Sequence, residues 1–342
     1  MKPRVFVVQP VPPEPLEELA RHAEIDLLDH LDRMATRDEV AAGVAASDYV
    51  FALGENPIDE AMIEAAPRLR LIAVMEIFPT RIDIEAATRR GIPVTGLPQS
   101  EIITDTTGEF TFALIMATSW RIAEADAHLR AGRWCQYQTR TLPTRRLWGK
   151  TVGIVGLGAV GRGVARMANA AAMRVLYTDR SRFDEAAERA AGAEWRELKP
   201  LFAESDIVCL TPTLTESSRG LVGADLIAAM KPGSLLINTS RGPVLDEAAL
   251  ADALAAGAIG GAGLDVYRTE PPEPDPGPDR RLLDFENVVL TPHIGTSARE
   301  TRAWMAGQVV ANIIAHIEGR ELRWLLNPEV MGGARLASDR IG

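Results

Sequence analysis

A chain of 342 residues has room for two domains with separate cores, since a single core stops growing near about 250–300 residues. Its formal net charge of −10, with no basic run longer than the pair Arg145 and Arg146, excludes a nucleic-acid or membrane-surface partner. No apolar run approaches the roughly 20 residues that span a bilayer, and the first apolar run, at 5–8, is too short for a signal peptide and is broken by Pro10. Cys135 and Cys209 share no CxxC or Cys/His spacing, which predicts no metal site and two reduced thiols in a cytoplasmic protein.

In chain order, short apolar runs at 5–8, 25–28, 49–53 and 69–75 alternate with helix-like segments at 16–22, 39–46, 58–66 and 84–90. This is the alternation of a parallel open sheet. A helical stretch at 106–122 and a loop-like segment at 139–150 follow, flanked by Trp134 and Trp148, for which packing is the expected role and lining a cleft or reaching a neighbouring subunit the alternative. Strand candidates then recur at 152–155, 175–178, 207–210, 235–238, 263–266 and 288–290, giving a second doubly wound unit. The Pro-rich tract 271–278 reads as a loop that cannot pair. The helix at 298–317 carries Trp304, Val309, Ile313 and Ile314 at helical spacing and is long enough to return to the first unit. The tail 331–342 has little to bury and is expected to be mobile or to act as an arm on another subunit.

The run 156–161, Gly-Leu-Gly-Ala-Val-Gly, stands between the strand at 151–155 and a helix reaching 172. Gly156 suits a tight turn, Gly158 a close backbone approach to a pyrophosphate, and Gly161 close helix–strand packing, with free amides at the helix start to receive phosphate. Asp179, at the end of the next apolar run, is placed to accept hydrogen bonds from an adenosine ribose and to repel the extra phosphate of NADP. The reading is therefore NAD; Arg180 and Arg182 keep NADP open.

A nicotinamide cofactor implies hydride transfer, which asks for a proton donor and for a cation to hold a carboxylate. Open α/β sheets place ligands just past strand ends, where Arg241, Glu270 and His293 stand. An imidazole exchanges a proton near neutral pH, and an arginine fork holds a carboxylate as lysine cannot. His22, His30, His128 and His316 lie in helical or polar settings and are read as surface residues.

The chain resembles the D-isomer-specific 2-hydroxyacid dehydrogenase family over nearly its whole length. The resemblance rests on 156–161 with Asp179, on Asn238-Thr239-Ser240-Arg241-Gly242-Pro243-Val244, on Gly263-Leu264-Asp265-Val266 leading to Glu270-Pro271, and on Thr291-Pro292-His293-Ile294-Gly295. The stretch Thr104-Asp105-Thr106-Thr107-Gly108-Glu109 is similar to a helix start of the glyoxylate/hydroxypyruvate reductase branch. This implies an α/β fold in which a Rossmann NAD-binding domain, 104–295, is inserted in a flavodoxin-like substrate domain made of 1–103 and 296–330. It implies His293 as acid and base, Glu270 as its partner raising its pKa, Arg241 on the 2-oxoacid carboxylate and carbonyl, and Asp265 on the nicotinamide carboxamide. Thr107, Ala159, Val160, Thr239 and Gly295 join Gly156, Gly158, Gly161 and Asp179 around the cofactor. A homodimer is also implied.

One segment departs from the family pattern. The loop whose amides would bind the substrate carboxylate, Met75-Glu76-Ile77-Phe78-Pro79-Thr80-Arg81 before Asp83, has no glycine; Phe78 takes the glycine-like place. Either the Ile77 and Phe78 amides still bind the carboxylate while Phe78 narrows the pocket, or Glu76 accepts from a hydroxyl or ammonium group of a different substrate. Turned outward, Glu76 would instead pair with Arg81. The expected activity is NAD-dependent reduction of a 2-oxoacid to a D-2-hydroxyacid, or its reverse. An NAD-sensing binding protein of the corepressor type, a formate or phosphite dehydrogenase and a phosphoglycerate dehydrogenase are the alternatives.

Overall fold

The computed structural model describes residues 2–137 and 140–331. The chain forms two compact units, Met1–Ser100 with Ser297–Gly342, and Glu101–Thr296. Residues 332–342 of the expected tail lie outside the described residues; Met331 ends a 3-10 turn, Pro328–Met331.

The first unit opens β1 (Arg4–Val7), α1 (Pro13–His22), β2 (Glu24–Leu27), α2 (Arg37–Ala45), β3 (Tyr49–Ala52), α3 (Glu60–Glu64), β4 (Leu71–Val74), α4 (Ile84–Arg89) and β5 (Val94–Thr95). All five strands are parallel in the order β2-β1-β3-β4-β5, the flavodoxin-like arrangement. Strands β3 and β4 are wholly apolar and buried from end to end, as a sheet covered on both faces requires. Side-chain caps start the helices that lead out of the sheet: Thr36 and Glu39 form a capping box on α2, and Asp59 and Asp83 accept from the Met62 and Ala86 amides at 3.0 and 2.8 Å. Strand β5 is only two residues long, too short for a periodic signal, and its existence rests on pairing with β4.

In the second unit follow α5 (Glu101–Ser119), α6 (Ile122–Arg130), β6 (Thr151–Val155), α7 (Ala159–Ala170), β7 (Arg174–Thr178), α8 (Glu185–Ala191), β8 (Glu194–Trp195), α9 (Leu198–Glu204), β9 (Ile207–Leu210), α10 (Ala224–Ala228), β10 (Leu235–Asn238), α11 (Glu247–Ala255), β11 (Gly261–Leu264) and β12 (Val288–Leu290). The sheet is parallel with order β12-β11-β10-β9-β6-β7-β8, so the strand sequence reverses between β6 and β9. That reversal is the topological switch point at which open α/β sheets bind ligands. Gly108 of α5 and Gly163 of α7 bring those helices together: a Cβ on Gly108 would lie 3.2 Å from the Gly163 Cα. Finally α12 (Arg299–Ile317) packs on α1, β3 and β4 of the first unit and buries Met305, Val309, Ile313 and Ile314.

Several expectations are corrected. The helix read as 106–122 starts at Glu101 and breaks at Arg121, which adopts a left-handed φ of 51° between α5 and α6. Trp134 and Trp148 are not packed into a core: they are 60% and 72% exposed, Trp134 meeting the Tyr137 ring edge-on. Nor is His316 a surface residue. It is half-buried against Tyr49, whose hydroxyl lies 3.2 Å from its Nδ1, and burial lowers its pKa with help from Arg70. Cys209 is buried in β9, where desolvation pushes its thiol up to about 12, while Cys135 is exposed; the two are not bonded to each other. Among the described residues no helix is long and apolar enough to cross a membrane, and no cluster suits a metal ion.

Candidate active site

At the switch point, Gly156 leaves β6 with φ +93°, a conformation side chains resist, and a Cβ there would meet Pro212 at 2.8 Å. Its carbonyl accepts from the Thr211 hydroxyl at 2.7 Å, and a Cβ on Gly161 would overlap that same carbonyl oxygen. Gly158 differs from both. It caps α7 in an extended conformation and a Cβ there would meet nothing within 4 Å, so space lies open over the helix start. The residues fit a pyrophosphate, with backbone room above Gly158 and Ala159 and Val160 opening the first turn.

Asp179 stands one residue past β7. Its Oδ2 accepts from the Leu157 amide at 2.8 Å and its Oδ1 from the Arg180 amide at 2.7 Å, so the carboxylate is tied to the glycine turn itself. Arg182 turns to Glu188 at 2.8 Å and lies over the Trp195 ring. A sequence pattern cannot say where such an arginine points; here an acid and an aromatic ring already engage it.

Past the ends of β10, β11 and β12 three chain segments converge. Arg241 precedes the 3-10 turn Gly242–Val244; its guanidinium donates to the Ser240 carbonyl at 2.7 Å, is otherwise exposed, and among the described residues holds no ion pair. Glu270 Oε2 lies 2.9 Å from His293 Nδ1, and its Oε1 accepts from the Tyr267 amide at 2.9 Å. The Glu270 hydrogen bond is the chief cause raising the His293 pKa; burial and Arg241 oppose it, and Asp265 adds to it. Burial alone would raise the Glu270 carboxyl, yet His293, the Tyr267 amide and Arg241 bring it below the usual carboxylate range. The His293 side chain remains 47% exposed, with Nε2 free of protein partners among the described residues.

His293 has φ +52°, rare for a residue with a side chain. Its amide donates to the Asp265 carbonyl at 2.9 Å, and the buried Asp265 carboxylate takes hydrogen bonds from the Ile294 amide, the Gly295 amide and the Thr291 hydroxyl at 2.8, 2.9 and 2.7 Å. Burial raises the Asp265 pKa against those bonds. Gly295 brings Asp265, Thr107 and Phe110 together: a Cβ on it would lie 3.2, 3.6 and 3.7 Å from them. Thr239 is buried, its hydroxyl 2.7 Å from that of Thr111 on α5.

The remaining candidates lie on the first unit. Glu76 turns inward: its carboxylate lies over Gly54, where a Cβ would overlap it, and its carbonyl accepts from the Leu97 amide at 2.8 Å. Phe78 is 65% exposed. Neither the Ile77 nor the Phe78 amide donates to another protein group among the described residues, leaving both available.

Residues 112–295 match the NAD-binding domain of the D-isomer-specific 2-hydroxyacid dehydrogenases. The glyoxylate reductase of Korarchaeum cryptofilum is 40% identical over 332 residues, covering 97% of this chain and 98% of that one. This chain belongs to the D-isomer-specific 2-hydroxyacid dehydrogenases. Among solved members, a 2-hydroxyacid dehydrogenase from Ketogulonicigenium vulgare is 30% identical with a TM-score of 0.78, covering 95% of this chain and 98% of that one. The NADPH-dependent glyoxylate/hydroxypyruvate reductase of Sinorhizobium meliloti, solved with citrate, is 30% identical with a TM-score of 0.76, covering 96% and 99%. The present dehydrogenase is thus an NAD-dependent oxidoreductase acting on the CH–OH group of 2-hydroxyacids.

Sequence reasoning missed the residues that brace this site. Glu247, Tyr267 and Thr211 bind backbone groups of the site segments, and their only sequence signal was closeness to the motifs.

Proposed function

We propose that this dehydrogenase reduces a small 2-oxoacid of the glyoxylate or hydroxypyruvate type, with NADH as donor and His293 as proton source. The observation that carries the reading is the His293–Glu270 pair at 2.9 Å beside an unpaired Arg241 on one sheet edge. The names of the relatives, glyoxylate reductase and glyoxylate/hydroxypyruvate reductase, support the substrate class. When bound, the nicotinamide supplies a hydride to the carbonyl carbon. Arg241 holds the substrate carboxylate and carbonyl through its fork, which orients that carbon. Protonated His293 gives its Nε2 proton to the carbonyl oxygen as negative charge develops there, and Glu270 stabilises the imidazolium that must be present beforehand. In oxidation the same imidazole, neutral, takes the hydroxyl proton.

In this reading the second unit, residues 104–295, binds NAD through Gly156, Gly158, Gly161, Ala159, Val160, Asp179, Thr107, Thr239, Asp265 and Gly295. The first unit, with the segment after 296, binds substrate through the amides of Ile77 and Phe78. Asp179 favours NADH, since an added phosphate would meet its carboxylate. A second copy as partner is supported by the exposed Trp120, Ile122, Leu129, Trp134 and Trp148, apolar surface that association would bury. A cytoplasmic location, with both thiols reduced, is part of the proposal. The test is nicotinamide oxidation, followed by absorbance with NADH and NADPH, against glyoxylate, hydroxypyruvate, pyruvate and phenylpyruvate. Turnover lost in His293→Ala supports the reading; NADH binding without turnover of any of these sinks it.

A further inference from the structure

The loop that carries Glu270 is closed at its neck by a carboxylate from a different element. Glu247, the first residue of α11, is buried, and its Oε1 accepts from the Arg268 amide at 2.6 Å while its Oε2 accepts from the Asp279 amide at 2.7 Å. Between those two amides the chain runs out through Glu270 and returns beside itself: Gly277, within the tract expected not to pair, keeps the N–H that proline lacks and donates it to the Thr269 carbonyl at 2.8 Å. One carboxylate thereby ties both ends of the loop to α11. A buried carboxylate is costly unless its oxygens are satisfied, and here each oxygen has a backbone donor. Burial raises the Glu247 pKa, opposed by the two amides and Arg268; Asp279 and Arg268 are the charged groups facing it.

The same stretch of chain reaches Arg241. Gly242, next to it, lies against the Tyr267 carbonyl, which a Cβ would overlap, and the Tyr267 amide is the donor to Glu270 Oε1. The turn bearing Arg241, the helix bearing Glu247 and the loop bearing Glu270 are therefore packed as one body within this unit.

We propose that Glu247 is a positioning residue which, by clamping loop 268–279 onto α11, holds the Glu270 carboxylate against His293. The proposal rests on the roles given above to Glu270 and His293. Two routes loosen the clamp. Glu247→Gln leaves one acceptor and turns an N–H against the other amide. Asp279→Pro removes one donor at a position whose φ of −49° suits proline, and Asp279→Ala, which keeps the amide, controls for the lost aspartate side chain.

In the full-length enzyme, the His293 imidazole is titrated by NMR, its ring signals assigned with His293→Ala, beside kcat for glyoxylate reduction and the melting temperature. Glu270, Arg241 and Asp265 are the charged groups that face this imidazole. The clamp predicts that Glu247→Gln and Asp279→Pro lower the His293 pKa in the same direction as Glu270→Gln, with kcat reduced roughly ten- to a hundredfold, while Asp279→Ala titrates as wild type. A His293 titration unchanged in Glu247→Gln but lowered in Glu270→Gln overturns the proposal, whatever the melting temperature does. If Glu270→Gln itself leaves the titration unmoved, the clamp and the pairing both fall. A lowered pKa in the clamp variants with no turnover of any 2-oxoacid supports the clamp and defeats only the functional reading.

Discussion

The Asp265 carboxylate holds the loop around His293 in place by taking hydrogen bonds from Thr291 before it and from Ile294 and Gly295 after it. His293 keeps its left-handed backbone because its neighbours on both sides are bonded to one buried group, and Glu270 then meets the ring from a separate loop. Orientation and charge of the imidazole thus come from two different acids.

Replacing the imidazole separates chemistry from binding. His293→Ala is expected to lower kcat by about 10²- to 10⁴-fold with NADH affinity unchanged, since the glycine turn and Asp179 are untouched. Arg241→Lys is expected to raise KM for the 2-oxoacid at least tenfold, because an ammonium cannot reproduce the fork. Steady-state kinetics with NADH titration by fluorescence checks both; a weakened NADH affinity in His293→Ala would contradict the assignment.

The pH dependence follows from the raised His293 pKa. Reduction needs the imidazolium, so its kcat holds at low pH and falls as pH rises through that raised pKa. Glu270→Gln removes the main cause of the shift and should move this alkaline limb to lower pH, while oxidation, which needs neutral imidazole, should gain at pH values where the wild type is still protonated. Unchanged profiles in both directions would show that Glu270 does not set the proton equilibrium.

Cofactor choice should turn on Asp179. The wild-type enzyme is expected to favour NADH, with Arg182 held by Glu188 and the Trp195 ring. Asp179→Ser removes the repulsion and should narrow the NADH to NADPH ratio of kcat/KM by roughly tenfold or more, about 1.4 kcal/mol. A wild-type preference for NADPH would reverse this account.

The glycines should separate by mechanism. Gly161→Ala puts a Cβ into the Gly156 carbonyl and is expected to lower the melting temperature. Gly158→Ala meets no protein atom, so its melting temperature should match wild type while NADH binding weakens, the methyl taking room needed by the pyrophosphate. Calorimetry and NADH titration of both variants decide it; equal melting losses would mean that the space over Gly158 is not free.

Periodicity and punctuation in the sequence determine the two parallel α/β halves, because a strand buried on both faces must be an unbroken apolar run and a βα turn at a phosphate site must be glycine-rich. The motifs also single out Arg241, Glu270 and His293. What they do not reveal is the company those residues keep. Strands β5 and β8 are two residues each and exist through pairing with the strand before them, across an intervening helix. The inward turn of Glu76 over Gly54, the burial of His316 beside Tyr49 and the two-ended grip of Glu247 all join residues separated by tens to hundreds of positions. A side chain's chemistry is written locally, but its pKa and orientation are set by neighbours that only the packed chain brings within hydrogen-bonding distance.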